Sequence, residues 1–418
     1  MDHVVAYATL AVTVGLAVFR PRVAVAFRFT PGTAALLGVI VLLATGLLTP
    51  GLLVEAARLQ WRPLLALASI MVMTGAVQEV GAFDRLAARI EAHARTASPV
   101  RTFTIVFVLA VVTPALLNND AAILILTPLV VALTRRLYPG RPDLTIAFAF
   151  AVFLAPGVAP LIVSNPMNMI VAEFAHIGFN AYAATMVPLS LAGALVTYLV
   201  LRLVYRRLLA TAIAAPSPGL TTIHPHAGER AAVILMLAVF CAYPIVAWCG
   251  GPTWIVAVCG ALASVVLTRL YRIAPLPKLA THVSLDILAF LWGIFLVVQG
   301  LRAVGVVDAL GALYQGSPGV ATIGVVSAAG SAVIDNHPMS ILNMLALSDA
   351  HGSKPLLAAL VGGDIGPRLL PIGSLAGLLW MDLLRRGGVD IGLGRFVRIG
   401  TLVLLPTLAI SLALLWLL

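Results

Sequence analysis

The sequence predicts an all-α polytopic membrane protein, built as an inverted repeat with about ten transmembrane helices, two re-entrant hairpins and two broken helices. Three observations predict it: an oily composition, a one-sided distribution of basic residues, and short segments that recur in the same order in both halves. Hydrophobic residues make up 61% of the 418 residues and charged residues only 10%, with a mean hydropathy of +1.07. A soluble domain is roughly half apolar and a quarter charged. Apolar stretches of membrane-spanning length recur along the whole chain, which leaves no soluble domain and no water-exposed enzyme core. The function therefore lies inside the bilayer.

In chain order, the crossings read as 4–19, 33–49, 63–80, 144–178, 183–201, 231–249, 253–268, 283–301, 356–381 and 399–417. The first is a retained helix, because "MDHVVAYATLAVTVGLAVFRPR" has neither a basic leader nor a small-residue cleavage site. Two further stretches, 103–133 and 318–347, read as hairpins that enter and leave on one side. With the N-terminus outside, 21 of the 26 lysines and arginines fall on inner loops, from Arg20 to Arg398. Only Arg58, Arg62, Arg302 and Lys354 fall outside, and Arg368 lies within a span. By the positive-inside rule this bias sets the orientation in the inner (plasma) membrane, with both termini outside the cytoplasm. Reading either hairpin as one ordinary crossing would invert the later loops and destroy the separation. The net charge of +10 is thus a topology signal and calls for no nucleic-acid partner.

The chain repeats itself. "VGAFDRL" at 80–86 matches "VGVVDAL" at 304–310. About thirty residues later "LNNDAAILIL" from 117 meets "IDNHPMSILN" from 334, aligning Asn118 with Asp335, Asn119 with Asn336 and Asp120 with His337. Later again "APLIVSNPM" from 159 lines up loosely with "GPRLLPIGS" from 366. Residues 1–205 form the first repeat, with the hairpin 103–133 and the broken helix 144–178. Residues 231–418 form the second, with the hairpin 318–347 and the broken helix 356–381. Five spans per half is an odd number, so the halves are inverted and both hairpin tips aim at the midplane, the architecture of secondary transporters. The polar stretch 206–230 is a cytoplasmic linker. His224 and His226 within it read as solvated residues and not a metal site, and Cys241, Cys249 and Cys259, without CxxC spacing, as small core hydrophobes and not disulfides or a metal site. No cofactor and no metal are expected.

An ionised side chain at the centre of a membrane helix costs on the order of 2.5–3.5 kcal/mol, so intramembrane acids pair, titrate or line a wet cavity. Asp120, Asp335, His337, Asp364 and Arg368 all lie at such depth. They cluster at the hairpin tips and at two stretches dense in helix breakers. In "FLAPGVAPLIVSNPMNMIVAEF", 153–174, Pro156, Gly157, Pro160 and Pro166 prevent an unbroken helix. In "GGDIGPRLLPIGS", 362–374, Gly362, Gly363, Gly366, Pro367, Pro371 and Gly373 do the same. Asn118, Asn119, Ser164, Asn165, Asn168, Asn336 and Ser374 then present neutral donors and acceptors to a bound solute. Asp120, Asp335, His337, Asp364 and Arg368 remain for proton coupling, with Asp364 and Arg368 spaced to pair four residues apart. One arginine against three acids suits a small neutral polyol-like solute better than a dianion.

The segments "TPALLNNDAAILILTPLVVAL", "VSNPMNMIVAEF" and "GGDIGPRLLPIGSLAGLLWM" resemble the signature segments of the arsenite and antimonite efflux permeases, within the ion transporter superfamily, and the resemblance spans the chain. It implies export of the neutral trihydroxide of As(III) or Sb(III) in exchange for protons, with a cytoplasmic arsenical-pump ATPase as a partner in some forms. Divalent anion/sodium symporters of that superfamily carry a Ser-Asn-Thr triplet at each tip. Here Asn118-Asn119-Asp120 and Asp335-Asn336-His337 stand there instead. The rival readings are a sodium/proton antiporter or a dicarboxylate carrier of the same superfamily. A more distant one is an intramembrane hydrolase, which would need a nucleophile turn or metal-binding helix that the sequence lacks.

Overall fold

Proline stands at the first or second position of seven helices among the described residues. Its missing N–H costs nothing there, and its fixed φ suits a helix start. The computed structural model describes residues 1–24, 27–94, 97–212, 226–316, 319–350 and 352–418. The first half holds α1 (Asp2–Phe19), α2 (Pro31–Ala44), α3 (Pro50–Glu79), α4 (Ala82–Ala94), α5 (Pro99–Leu116), α6 (Asn119–Leu137), α7 (Pro142–Leu154), α8 (Pro166–Phe174), α9 (Phe179–Val204) and α10 (Arg206–Ala210). The second holds α11 (Glu229–Trp248), α12 (Thr253–Leu270), α13 (Leu276–Ala280), α14 (Leu285–Ala303), α15 (Val306–Gly316), α16 (Val320–Ile334), α17 (Asn336–Ala346), α18 (Lys354–Ile365), α19 (Leu375–Arg386) and α20 (Leu393–Leu417). A short antiparallel pairing of Arg22–Ala24 with Phe27–Arg28 is the one sheet among the described residues. His224 lies outside the described residues. His226 accepts a hydrogen bond at Nδ1 from the Gly228 amide at 3.1 Å.

The protein is an all-helical polytopic membrane protein. Among the described residues seven helical stretches are long and apolar enough to cross a bilayer: α1, α5, α9, α11, α12, α13 with α14, and α20. The pair α3 and α4, bent by 56°, makes an eighth. Length explains why this count differs from the ten crossings read in the sequence. The 14 residues of α2 rise only about 21 Å, and α7/α8 and α18/α19 are each cut by an irregular stretch. Conversely α5, read as one arm of a hairpin, has 18 residues and could reach about 27 Å.

The apolar side chains divide into two main cores. One gathers α1–α3, α8, α11, α12 and α14–α18 with the N-terminal half of α9 and the C-terminal half of α20. The other gathers α4–α7, α10 and α19 with the remaining parts of α9 and α20. The two interrupted stretches therefore straddle the seam, with α7 in one core and α8 in the other, and α18 and α19 likewise divided. Small residues let backbones meet closely, as is usual where helices pack inside lipid. At Gly362 of α18 an added Cβ would run into the Gly324 carbonyl of α16 and stand 2.8 Å from the Ser327 Cβ.

Gly362→Ala is expected to push α18 off α16 and cost about 1–3 kcal/mol of stability through overpacking. Gly394→Ala, whose Cβ meets nothing within 4 Å, is expected to cost little or nothing. Thermal unfolding of the two variants in detergent checks the difference.

Candidate functional site

Four helices begin at one place. At the first tip the chain turns from α5 into α6 through Asn118, with φ +129, and at the second from α16 into α17 through Asp335, with φ +76. Positive φ in a residue with a Cβ costs on the order of 1–3 kcal/mol and persists only where the surroundings demand it. Each of these side chains also caps the helix that follows. Asn118 Oδ1 accepts from the Ala121 amide at 2.9 Å, and Asp335 Oδ1 from the His337 amide at 2.9 Å. The interrupted stretches end alike, with Asn165 capping α8 through the Met167 amide and Ser374 capping α19 through the Gly377 amide, both at 3.0 Å.

Their backbones run in parallel as well. Leu161 and Leu370 are extended, each is followed by one short 3-10 turn (Ile162–Ser164 and Pro371–Gly373), and each turn ends in an extended cap, Asn165 or Ser374. This correspondence sets Leu161 beside Leu370, two residues out of register from the sequence alignment of 159 with 366. The shared feature is backbone conformation, which different side chains support.

Between these ends lies a cavity of about 50 Å3. Asn119, Asp120, Asn165, Asn336, His337, Asp364, Arg368 and Ser374 line it, with Ile123, Phe153 and three prolines completing the wall. The first turns of α6, α8, α17 and α19 all face it, each bringing the positive end of a helix dipole, about half a charge apiece. Asp120 reaches the cavity with no hydrogen-bond partner among the described residues and lies within electrostatic reach of His337 and Asp335. His337 shares a 2.7 Å hydrogen bond from Nδ1 to Asp335 Oδ1, and its ring meets Phe290 of α14 edge to face at 5.4 Å.

Asp364 does not pair with Arg368. Its carboxylate accepts from the Ala159 amide at 2.9 Å, Asn165 Nδ2 at 2.8 Å and Asn168 Nδ2 at 3.2 Å. Three N–H donors converge on two oxygens, a set that fits the acceptor-only ionised form. Arg368 turns away because the chain leaves the α-helix at Gly366–Arg368 for a tighter turn, so the four-residue spacing no longer aligns the two side chains. Its guanidinium donates from Nη2 to the Leu154 carbonyl at 2.6 Å and from Nη1 to Thr197 Oγ1 at 3.3 Å. Leu154 ends α7, so the cation sits at a negative helix terminus. Gly157 makes room for it, since a Cβ there would stand 2.9 Å from Nη2.

Four of the sequence-predicted residues sit behind the lining. Asn118 and Asp335 are buried caps, Ser164 turns its hydroxyl to the Ala115 carbonyl at 3.4 Å, and Asn168 is enclosed between Asp364 and Tyr182. Tyr182 of α9 was not legible in the sequence as part of the site. Its hydroxyl accepts from Asn168 Nδ2 at 2.5 Å and donates to the Ala159 carbonyl at 3.0 Å, so it holds both flanks of the unwound stretch. A lone tyrosine in an apolar span looks like any other, and only the pairing reveals it.

The model of the arsenical pump membrane protein family ArsB matches residues 5–418. The arsenical pump membrane protein of Escherichia coli K12 is 30% identical over 401 residues, covering 91% of this chain and 92% of that protein. The protein of the same description from Yersinia enterocolitica is 27% identical over 415 residues, covering 96% and 95%. Among solved structures, the Alcanivorax borkumensis YdaH transporter superposes with a TM-score of 0.60 at 15% identity, covering 100% of this chain and 97% of that one, a likeness of fold alone.

Asp364→Ala is expected to strand three N–H donors and lower stability by about 1–3 kcal/mol or more. Tyr182→Phe, which removes one hydroxyl, should cost about 1 kcal/mol. Thermal unfolding of both variants, beside wild type in the same detergent, reads the ranking.

Proposed function

The chain belongs to the arsenical pump membrane protein family, and as a multi-pass membrane transporter of that family and not an enzyme, we propose that it exports the neutral trihydroxides of As(III) and Sb(III) from the cytoplasm in exchange for protons. One observation carries the reading: four helix N-termini, two from each half of the chain, face one small cavity together with the protein's own carboxylates. The cavity's size supports a small solute. A water needs about 10–15 Å3 of such space, so about 50 Å3 takes a few hydroxyl-sized groups, far below the roughly 300–1,000 Å3 of pockets for organic ligands.

Its charge supports a neutral one. The four dipole ends bring about two positive charges in all, and they favour an anion taken alone, which is the feature a dicarboxylate carrier would share. Here Asp120, Asp335 and Asp364 stand among those ends, and the guanidinium of Arg368 is engaged by Leu154 and Thr197. Asn119, Asn165, Asn336 and Ser374 offer both donors and acceptors to hydroxyl groups. Asp120 and the Asp335–His337 pair are the proton carriers, because Asp120 faces the cavity unpartnered and the pair shares one short polar contact. Asp364, enclosed by three donors, and Arg368 fix the walls around them.

We read the halves as oppositely oriented and both termini as lying outside the cytoplasm. Four ion pairs between separate segments support this sidedness. Arg85–Glu229, Lys278–Glu79 and Arg136–Glu91 each join two segments that the basic-residue bias assigns to the inner face. Arg62–Glu173 joins two that it assigns to the outer face. The inner loops are then the docking face for a cytoplasmic arsenical-pump ATPase where one is present. A proton moving down 100 mV supplies about 2.3 kcal/mol, which supports roughly a fifty-fold solute gradient.

Everted membrane vesicles are expected to accumulate arsenite when a proton gradient is imposed and to lose it when a protonophore is added. Asp120→Asn and Asp335→Asn should each lower gradient-driven accumulation at least tenfold. Uptake that ignores the gradient, or succinate uptake in its place, overturns the reading.

A further inference from the structure

A second cavity, of about 410 Å3, lies between α3, α8, α14 and α17. Two of these helices join it to the first. Asn336 of α17 lines the small cavity and Met344 the larger one, about 12 Å apart along the helix. Pro166 and Glu173 of α8 do the same, about 10 Å apart. On α14, Phe290 touches His337 and Phe295 lines the larger cavity. The larger cavity thus lies about two helical turns further along the same helices, toward the face that the basic-residue bias assigns to the outside, and its wall holds Arg58 and His176 besides apolar Ile170, Phe295 and Met344.

Gln60 of α3 borders this cavity with 0% of its surface exposed, and neither its amide nitrogen nor its carbonyl oxygen has a hydrogen-bond partner among the described residues. A buried carboxamide with both ends unpaired is costly, and a leucine of similar size would avoid the cost. Arg62, two residues on, reaches across to Glu173 of α8 at 2.9 Å, with side-chain exposures of 50% and 39%. An ion pair so exposed is weak and opens readily. We propose that this cavity is the outer release site for the neutral trihydroxide, with Gln60 its hydrogen-bonding group and the Arg62–Glu173 pair its gate. A carboxamide both donates and accepts, as a hydroxylated neutral solute does; an anion only accepts and would leave Oε1 unpaired. The inference rests on the transport reading above and names where that solute leaves.

Two measurements test it. In everted vesicles Gln60→Leu is expected to cut gradient-driven arsenite accumulation at least tenfold, with an unfolding temperature equal to or above wild type, whereas loss of a merely structural amide would lower it. Gln60→Asn should recover part of the rate. Wild-type rates in Gln60→Leu, with wild type itself active, overturn the release site and leave the transport reading standing; inactive wild type fells that reading instead. The second measurement needs no transport. In a chain whose exposed Cys241, Cys249 and Cys259 are serine, Gln60→Cys combined with Glu173→Gln should react with a membrane-impermeant maleimide added outside intact cells. It should do so at least fivefold faster than Gln60→Cys alone. Equal rates, or labelling only from the cytoplasmic side, overturn the gate.

Discussion

A helix that stops inside lipid leaves amides and carbonyls with no water to meet them, and this chain stops helices there four times. Everything else in the site follows from how those ends are satisfied. Side-chain caps answer part of the need: Asn118, Asn165, Asp335 and Ser374 each accept from the helix they precede. The remainder is answered across the halves. Asp364, from the second interrupted stretch, takes the Ala159 amide and both Asn165 and Asn168 of the first, while Arg368 takes the last carbonyl of α7. Neither stretch is satisfied without the other, so the backbone breaks tie the two cores together at the seam where the cavity forms.

The same bonds decide what charge the cavity offers. Arg368 is the one cation in the lining that is charged at every physiological pH, and it is held by Leu154 and Thr197. Asp364 is closed by donors on both oxygens. What faces inward is an unpartnered carboxylate at Asp120, an imidazole held by Asp335, and neutral amides. Asn336 Oδ1 and Arg368 Nε also have no hydrogen-bond partner among the described residues. The wall therefore combines titratable groups with neutral hydrogen-bonding groups, which is the pairing that the proposed exchange of a neutral solute for protons requires.

Much of this was legible in the sequence because helix breakers and intramembrane acids are rare enough to stand out. Pro156, Pro160 and Pro166 marked one interruption and Gly366 to Gly373 the other, while Gly362 and Gly363, read as breakers too, stay inside α18, where they let it pack closely on α16. The aligned Asn118 and Asp335 turned out to share positive φ and a capping role. Three things were not legible. The partner of Asp364 was hidden because spacing of four residues implies a neighbour only while the helix continues, and it ends at Gly366. The register of 159 against 366 was off by two, since backbone shape repeats there while side chains do not. Tyr182 and Gln60 were hidden because a single polar residue in an apolar span gives no sign of what it meets.

None of the three cysteines lines the cavity; all lie on or beside α11 and α12 and, contrary to the core positions read from the sequence, are exposed, as apolar residues on the outside of a membrane protein can be. For a thiophilic solute this is a functional constraint and not an omission. A thiolate would hold As(III) by covalent bonds, and release would then govern the cycle. Hydrogen bonds are weaker in the useful range. Each contributes only about 1 kcal/mol net, so amides and a hydroxyl would hold such a solute loosely. Loose holding lets the single proton of the proposed exchange, worth about 2.3 kcal/mol at 100 mV, change occupancy appreciably. A tighter site would fill and stay filled, so a wall of amides and carboxylates is the chemistry that the proposed exchange with protons calls for.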